Sequence, residues 1–415
     1  RPCQGSDIGQ AQVQALAGQR VDDVGGVTHQ HPALAADGGG LTEGETMASR
    51  KRPTGSNQDD LFNPEIELLL PARLAVDGKV LGSPVRQLAV PAQRVRCRLR
   101  PFAIRRVNGH ETTLESGEIL KVISAKTATP LEADLILLVP GATEPERIAA
   151  ALELGEGRWM NVPPTTIDTL DRSARSERLK AVSASWIDAI HLREGRAAAD
   201  GQPAQPGLRR PQVGALHAAL AHATRSTDPA TIVMPTGTGK TETMLALNAN
   251  QRFERLLVVV PTDALREQIA SKFETFGVLK QQKCLDETAA FPLVMRLSHI
   301  PTSQAEVDEI FDSANVIVTT MQIAGRAEAP VQERMAARAS ALFIDEAHHI
   351  GARTWKSFRG LFVEHEPPIP VIQFTATPFR EDGGRVDGEF IYTYPLKKAQ
   401  QEGYFKPIRF EGRDQ

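Results

Sequence analysis

The stretch Met234-Pro235-Thr236-Gly237-Thr238-Gly239-Lys240-Thr241 constrains this chain more than any other. A short apolar run, Thr231-Ile232-Val233, precedes it, and Glu242 to Leu247 reads as the opening of a helix. Strand, glycine-rich turn and helix together form the setting of a phosphate loop. Gly237 and Gly239 let backbone N–H groups curl around an anion, and the helix N-terminus adds partial positive charge. In such a loop Thr236 to Gly239 wrap the phosphates and a solvent-facing Lys240 reaches the β and γ positions. Thr241 offers a hydroxyl to magnesium. The longer form of the pattern has glycine where this chain has Met234. The loop by itself implies nucleotide binding and little more.

The loop sits within 415 residues, enough for two to three domains at roughly 150 residues each. A net charge of −3 gives no global mark of a nucleic-acid binder, so any such surface must be local. Cys3, Cys97 and Cys284 are too scattered for a disulfide framework or a zinc site, which fits a reducing cytoplasm. No run approaches 18 apolar residues, so no membrane span is expected.

Residues 1–60 read as a leader: 1–46 contain no Phe, Tyr or Trp, and the first methionine, Met47, is a plausible true start. Arg50-Lys51-Arg52 reads as a solvated tail. Residues 61–196 have the texture of a small α+β domain. Ala72 to Val76 before Asp77-Gly78 signals a hairpin. Arg94 to Arg100 alternates strictly, which puts Val95, Cys97 and Leu99 on one face of a strand and four arginines on the other. With no acid between 94 and 106, that stripe suits a phosphate backbone, and equally suits an exposed face with arginine stems over apolar neighbours. Strands are expected at 118–123 and 134–139, and helices at 146–154 and 171–192.

Residues 197–210, rich in Gly and Pro, read as a linker. Beyond it strands and helices alternate. Leu256 to Val260 is a continuous apolar run, the mark of a strand buried on both faces of a parallel sheet, with a helix at 263–276 behind it. Val316 to Val318, a helix near 330–340, Ala341 to Ile344 and Val371 to Phe374 continue the pattern of a doubly wound α/β domain. Strands of such a sheet present their carboxyl ends on one edge. Asp345-Glu346-Ala347-His348 therefore faces the same way as the phosphate loop. Asp345 is placed to hold magnesium through water, and Glu346 to orient and deprotonate an attacking water.

The phosphate loop, Asp345-Glu346-Ala347-His348 and Thr375-Ala376-Thr377-Pro378 together resemble the first motor domain of superfamily-two helicases. The wording Asp-Glu-Ala-His-His and Thr-Ala-Thr-Pro-Phe-Arg is similar to the branch holding restriction-enzyme translocating subunits, type III restriction subunits among them. That family's loop also lacks the early glycine. The resemblance covers about 208–415 and implies a RecA-like P-loop NTPase fold over 211–400. It further implies that Gln212 reads adenine, that Thr262, Arg266 and Thr320 lie in segments contacting the nucleic-acid backbone, and that His348, Thr375 and Thr377 couple ATP state to strand movement. DNA is the implied partner, with nuclease or modification subunits as further partners. Residues 401–415 resemble the crossing into a second motor domain, whose arginines the family's hydrolysis needs, so half a motor is expected here. An RNA helicase and a regulatory ATPase switch are the alternatives. A small-molecule kinase would leave Asp345 to His348 and Thr375 to Pro378 as coincidences.

Overall fold

The computed structural model describes residues 64–196, 198, 204–349, 353–380 and 383–404. The leader with Met47, the Arg50–Arg52 triplet, Cys3, linker residues 197 and 199–203, and the 405–415 part of the crossing lie outside the described residues.

The accessory region opens with β1 (Ile66–Leu70), β2 (Arg73–Val80), β3 (Ser83–Val90), β4 (Gln93–Cys97), β5 (Arg100–Ile104) and β6 (Val107–Thr113). It continues with β7 (Ile119–Ile123), β8 (Leu135–Leu138), α1 (Pro145–Glu153), β9 (Arg158–Trp159), β10 (Thr165–Thr166) and α2 (Arg172–Ala184). β1 pairs with β4, while β5 to β9 form a five-stranded sheet in chain order. Leu68, Leu70, Leu120, Leu137 and Ile148 close a core in which α1 covers β1. Pro145 starts α1, where its missing N–H removes no helical hydrogen bond.

Three local expectations are corrected. Asp77-Gly78 lies inside β2, and the hairpin turns at Leu81-Gly82, with φ of 49° and 81°. Gly78 serves close approach instead: a Cβ there would lie 2.7 Å from Ile167 Cγ2. The arginine-rich stretch alternates as read, with Cys97 and Leu99 buried and the arginines exposed, but it divides at Arg98-Leu99. The chain changes partners there, from β1 to β6. Acids distant in sequence also reach it: Arg94 pairs with Glu67 at 3.1 Å and Glu153 at 2.5 Å, and Arg96 lies 3.7 Å from Glu67. Likewise α2 ends at Ala184, short of 192, and Trp186 turns into the core with its Nε1 donating to Ala290 O at 2.8 Å.

The second half comprises α3 (Arg210–Ala223), β11 (Ala230–Val233), α4 (Lys240–Gln251), β12 (Leu256–Val260), α5 (Asp263–Thr275), β13 (Val294–Arg296) and α6 (Gln304–Phe311). β14 (Val316–Thr320), α7 (Met321–Ala324), α8 (Ala329–Arg338), β15 (Ala341–Ile344), α9 (Arg353–Val363), β16 (Val371–Thr375), β17 (Glu389–Thr393) and α10 (Leu396–Gln401) follow. Seven strands run parallel in the order β13-β14-β12-β15-β16-β11-β17. β12 is buried along its whole length between β14 and β15, which is why its sequence reads as unbroken Leu and Val. The accessory hairpin extends this sheet. β3 pairs antiparallel with β13, β2 with β3, and β10 parallel with β2, giving ten strands. A RecA-like α/β sheet flanked by helices thus follows a small, mainly β region. No helix among the described residues is long and apolar enough to cross a membrane.

Because the seven strands are parallel, one edge collects their carboxyl ends. β11 delivers the phosphate loop there, β15 delivers Asp345-Glu346, β16 delivers Thr375, β12 delivers Thr262 and β14 delivers Thr320.

Candidate nucleotide site

The loop after β11 turns on two left-handed glycines, Gly237 with φ 84° and Gly239 with φ 95°, and Gly239 caps α4. An L side chain at 239 would be strained, and its Cβ would fall 2.0 Å from Gln212 Nε2. Met234 stands where the longer pattern has glycine, and it is wholly buried, with its N–H donating to Thr375 O at 2.9 Å. Thr238 is buried too, and its hydroxyl donates to Pro235 O at 2.6 Å. Thr236, Gly237, Gly239, Lys240 and Thr241 line a cavity of about 700 Å³ together with Gln212, Asp345 and Glu346.

Lys240 is not solvent-facing. Its side chain is 10% exposed and its ammonium donates to Glu346 Oε1 at 2.7 Å. Glu346 adopts φ 51°, a left-handed backbone at a residue with a full side chain, and its N–H donates to Asp345 Oδ1 at 2.9 Å. Asp345 is 4% exposed. Burial raises its carboxyl to about 6. Lys240 and the Glu346 N–H act against that shift, and the Glu346 charge adds to it. Glu346 Oε2 is buried without a hydrogen bond, 3.3 Å from His348 Nδ1.

His348 joins this centre to β16. Thr375 Oγ1 gives its proton to Thr377 O at 2.8 Å, so the 3.1 Å bond from His348 Nδ1 to the same oxygen makes Nδ1 the donor. Thr377 N–H also donates to Thr375 Oγ1 at 3.3 Å. His348, Glu346, Thr375 and Thr377 are therefore brought into one polar chain.

Gln212 is 95% buried, with both ends of its amide engaged by main chain: Oε1 accepts from Arg209 N at 2.7 Å and Nε2 donates to Gly239 O at 3.3 Å. Sequence reasoning overlooked Arg209, whose Nη1 donates to Gly237 O at 2.6 Å and whose guanidinium lies 5.6 Å from the Tyr404 ring centre. Its place three residues before Gln212, in capping-box register at the start of α3, is the signal that would have found it. The Glu242–Lys272 pair at 3.4 Å also lines the cavity and carried no motif.

The three residues read as backbone contacts fare differently. Thr262 is exposed and caps α5, accepting from Leu265 N at 3.3 Å. Thr320 is buried at the start of α7. Arg266 is turned inward, 12% exposed, paired with Asp263 at 2.9 Å and donating to Leu297 O at 3.4 Å.

The donor set fits magnesium-ATP. Magnesium is held by one or two carboxylates together with substrate phosphates and hydroxyls, and the described residues hold no cluster of three metal-ligating side chains that would bind it alone. The glycines of the loop, Lys240, Asp345 and Glu346 line the same cavity.

A glycine-cradled lysine after β11, an acidic pair after β15 and a Thr-x-Thr turn after β16, the strand between them, thus meet at one sheet edge. Residues 205–380 match the family model described as "Type III restriction enzyme, res subunit", so this segment is related to those subunits. Among solved structures, the chain is similar to the Type ISP restriction-modification enzyme LlaGI, a nuclease-deletion mutant in complex with a DNA substrate mimic. That match has 16% identity and TM-score 0.32, covering 48% of this chain and 20% of that one. The Pyrococcus furiosus Hef helicase domain matches at 22% identity and TM-score 0.28, covering 39% and 32%. T4 UvsW matches at 15% identity and TM-score 0.30, covering 50% and 35%. No curated protein matches the chain.

Proposed function

We propose that this chain carries the ATP-binding motor of a DNA helicase or translocase, with 211–400 as the motor and 61–196 as an accessory region. The observation that carries the reading is the Lys240–Glu346 contact at 2.7 Å beside buried Asp345, in a cavity that Gln212 also lines. The matched family's description, a restriction-enzyme subunit, supports DNA as the polymer.

Bound magnesium-ATP would supply the phosphoryl group and its activating cation. Lys240 would hold the β/γ end, Thr241 and Asp345 would hold magnesium, and the main chain of 236–239 would wrap the phosphates. Lys240 exchanges Glu346 for phosphate on binding, which releases the Glu346 carboxylate to orient and deprotonate water. His348 passes the state of Glu346 to Thr375 and Thr377. Gln212 and Arg209 border the base end. Thr262 meets the sugar-phosphate backbone without reading bases.

The test is ATP turnover by the full-length protein with and without DNA, in wild type and Glu346→Gln. Turnover stimulated by DNA is expected, and the variant should lose roughly two to four orders of magnitude while still binding ATP, the range typical of a general base. DNA-independent turnover, or a variant within a few-fold of wild type, would refute the reading.

A further inference from the structure

The hairpin of β2 and β3 turns through Leu81 and Gly82 alone, with Val80 opposite Ser83. Positive φ at both residues is the geometry in which Asn-Gly or Asp-Gly is the favoured pair. This chain spends the first position on leucine, whose side chain gains no local hydrogen bond there and stays 40% exposed. A backbone outlier that presents an apolar side chain to water is a reason to look for what that side chain meets.

Its position supplies the answer. β3 is antiparallel to β13, so the turn lies beside the carboxyl end of β13, on the sheet edge that also carries Thr262 and Thr320. The turn is also fastened there. Ser83 is wholly buried, its Oγ accepts from Ser298 N at 3.1 Å and lies 3.0 Å from His299 Nδ1. The loop it grips continues through Ile300, a second exposed apolar residue, at 39%. From β3 to β12 is three strand spacings, roughly 15 Å at about 4.8 Å each. A DNA strand rising about 3.4 Å per nucleotide covers that in about four nucleotides.

We infer that the Leu81 turn is a wedge that meets duplex DNA where it enters the track. This rests on the DNA reading proposed above. Leucine and isoleucine are among the side chains that proteins insert between base steps, where an apolar surface replaces stacking. The Ser83 anchor holds such a wedge rigid against the motor, so movement of the strand past Thr262 drives the duplex onto it.

A photo-crosslinking residue placed at 81, at 262 or at 154 of the full-length protein tests this with a forked DNA. Leu154 is an exposed control at the end of α1, 77% exposed. Crosslinks are expected from 262 to both forked and single-stranded DNA, from 81 only to the fork and within a few nucleotides of its junction, and not from 154. Crosslinking from 262 with none from 81 beyond the control overturns the wedge and leaves the DNA reading standing. Failure at both overturns the two together. Leu81→Asn keeps the turn, since asparagine favours this backbone, and removes only the apolar side chain. It should lower unwinding of the fork at least tenfold with ATP turnover on single-stranded DNA unchanged. Unwinding within twofold of wild type would refute the wedge.

Discussion

Asp345→Asn should make the nucleotide-free protein more stable while destroying the site. Burial raises the Asp345 carboxyl from 3.8 to about 6, so the folded protein holds its proton more tightly than the unfolded chain does. Between those two values the folded state binds more protons, and its stability falls as pH rises. At about 1.36 kcal/mol per pKa unit, the ionised carboxylate costs about 3 kcal/mol at pH 7.5, a figure that already includes its attraction to Lys240. Asparagine has the same shape, still accepts from the Glu346 N–H through its Oδ1, and carries no charge. The variant should therefore exceed wild type by about 3 kcal/mol at pH 7.5, by about half that at pH 5, and by nothing below about pH 3.5. Urea unfolding of both proteins at each pH, without nucleotide, measures the gap, and the pairwise difference cancels every other titrating group. On the proposed reading, in which the Asp345 carboxylate holds the cation, magnesium-ATP should then stabilise wild type more than the variant. A variant no more stable than wild type at pH 7.5, or a gap that does not change with pH, would refute the reasoning.

Lys240→Ala should lower ATP affinity at least tenfold and leave Glu346 buried without its cation, so a loss of about 1–3 kcal/mol in stability is expected as well; nucleotide titration and melting curves check both. Gly239→Ala forces a left-handed backbone on an L residue, at about 1–2 kcal/mol, and drives a methyl group into Gln212, so ATP should bind roughly five- to thirtyfold more weakly by fluorescence titration. Gly78→Val presses on Ile167 inside the core and should cost about 1–3 kcal/mol in urea unfolding with ATP binding unchanged.

Much of the motor was legible because its signals are local. The run Leu256–Val260 reads as a strand covered on both faces, and the glycines of 237 and 239 mark a tight turn before α4. The acidic pair after Ala341–Ile344 was legible for the same reason, as strand direction alone brings it to the loop's edge. What escaped depends on distant partners. β13 is three residues long and owes its existence to β14 and β3, and β17 is only half-buried beside β11. Asp77-Gly78 imitated a turn because the same dipeptide serves close packing against Ile167, which no local pattern reveals. Arg266 looked like a phosphate contact by composition and motif, yet Asp263 one turn earlier and the Leu297 carbonyl draw it inward. Nor does the sequence show that Glu67 and Glu153 reach the arginine stripe.

The joining of β3 to β13 also sets a timetable for synthesis. Ser83 and Ser298, which bond across this seam, are 215 residues apart in the chain. At roughly 5–20 residues per second a ribosome needs on the order of 10–40 s to bridge that interval. Throughout it, the newly made hairpin carries an edge of unpaired N–H and C=O groups, a template for pairing with a neighbouring nascent chain. Arg86, exposed on that strand and paired with Asp77 at 3.2 Å, places charge along the waiting edge. The segment that makes this protein's sheet widest is thus the one that must wait longest for its partner.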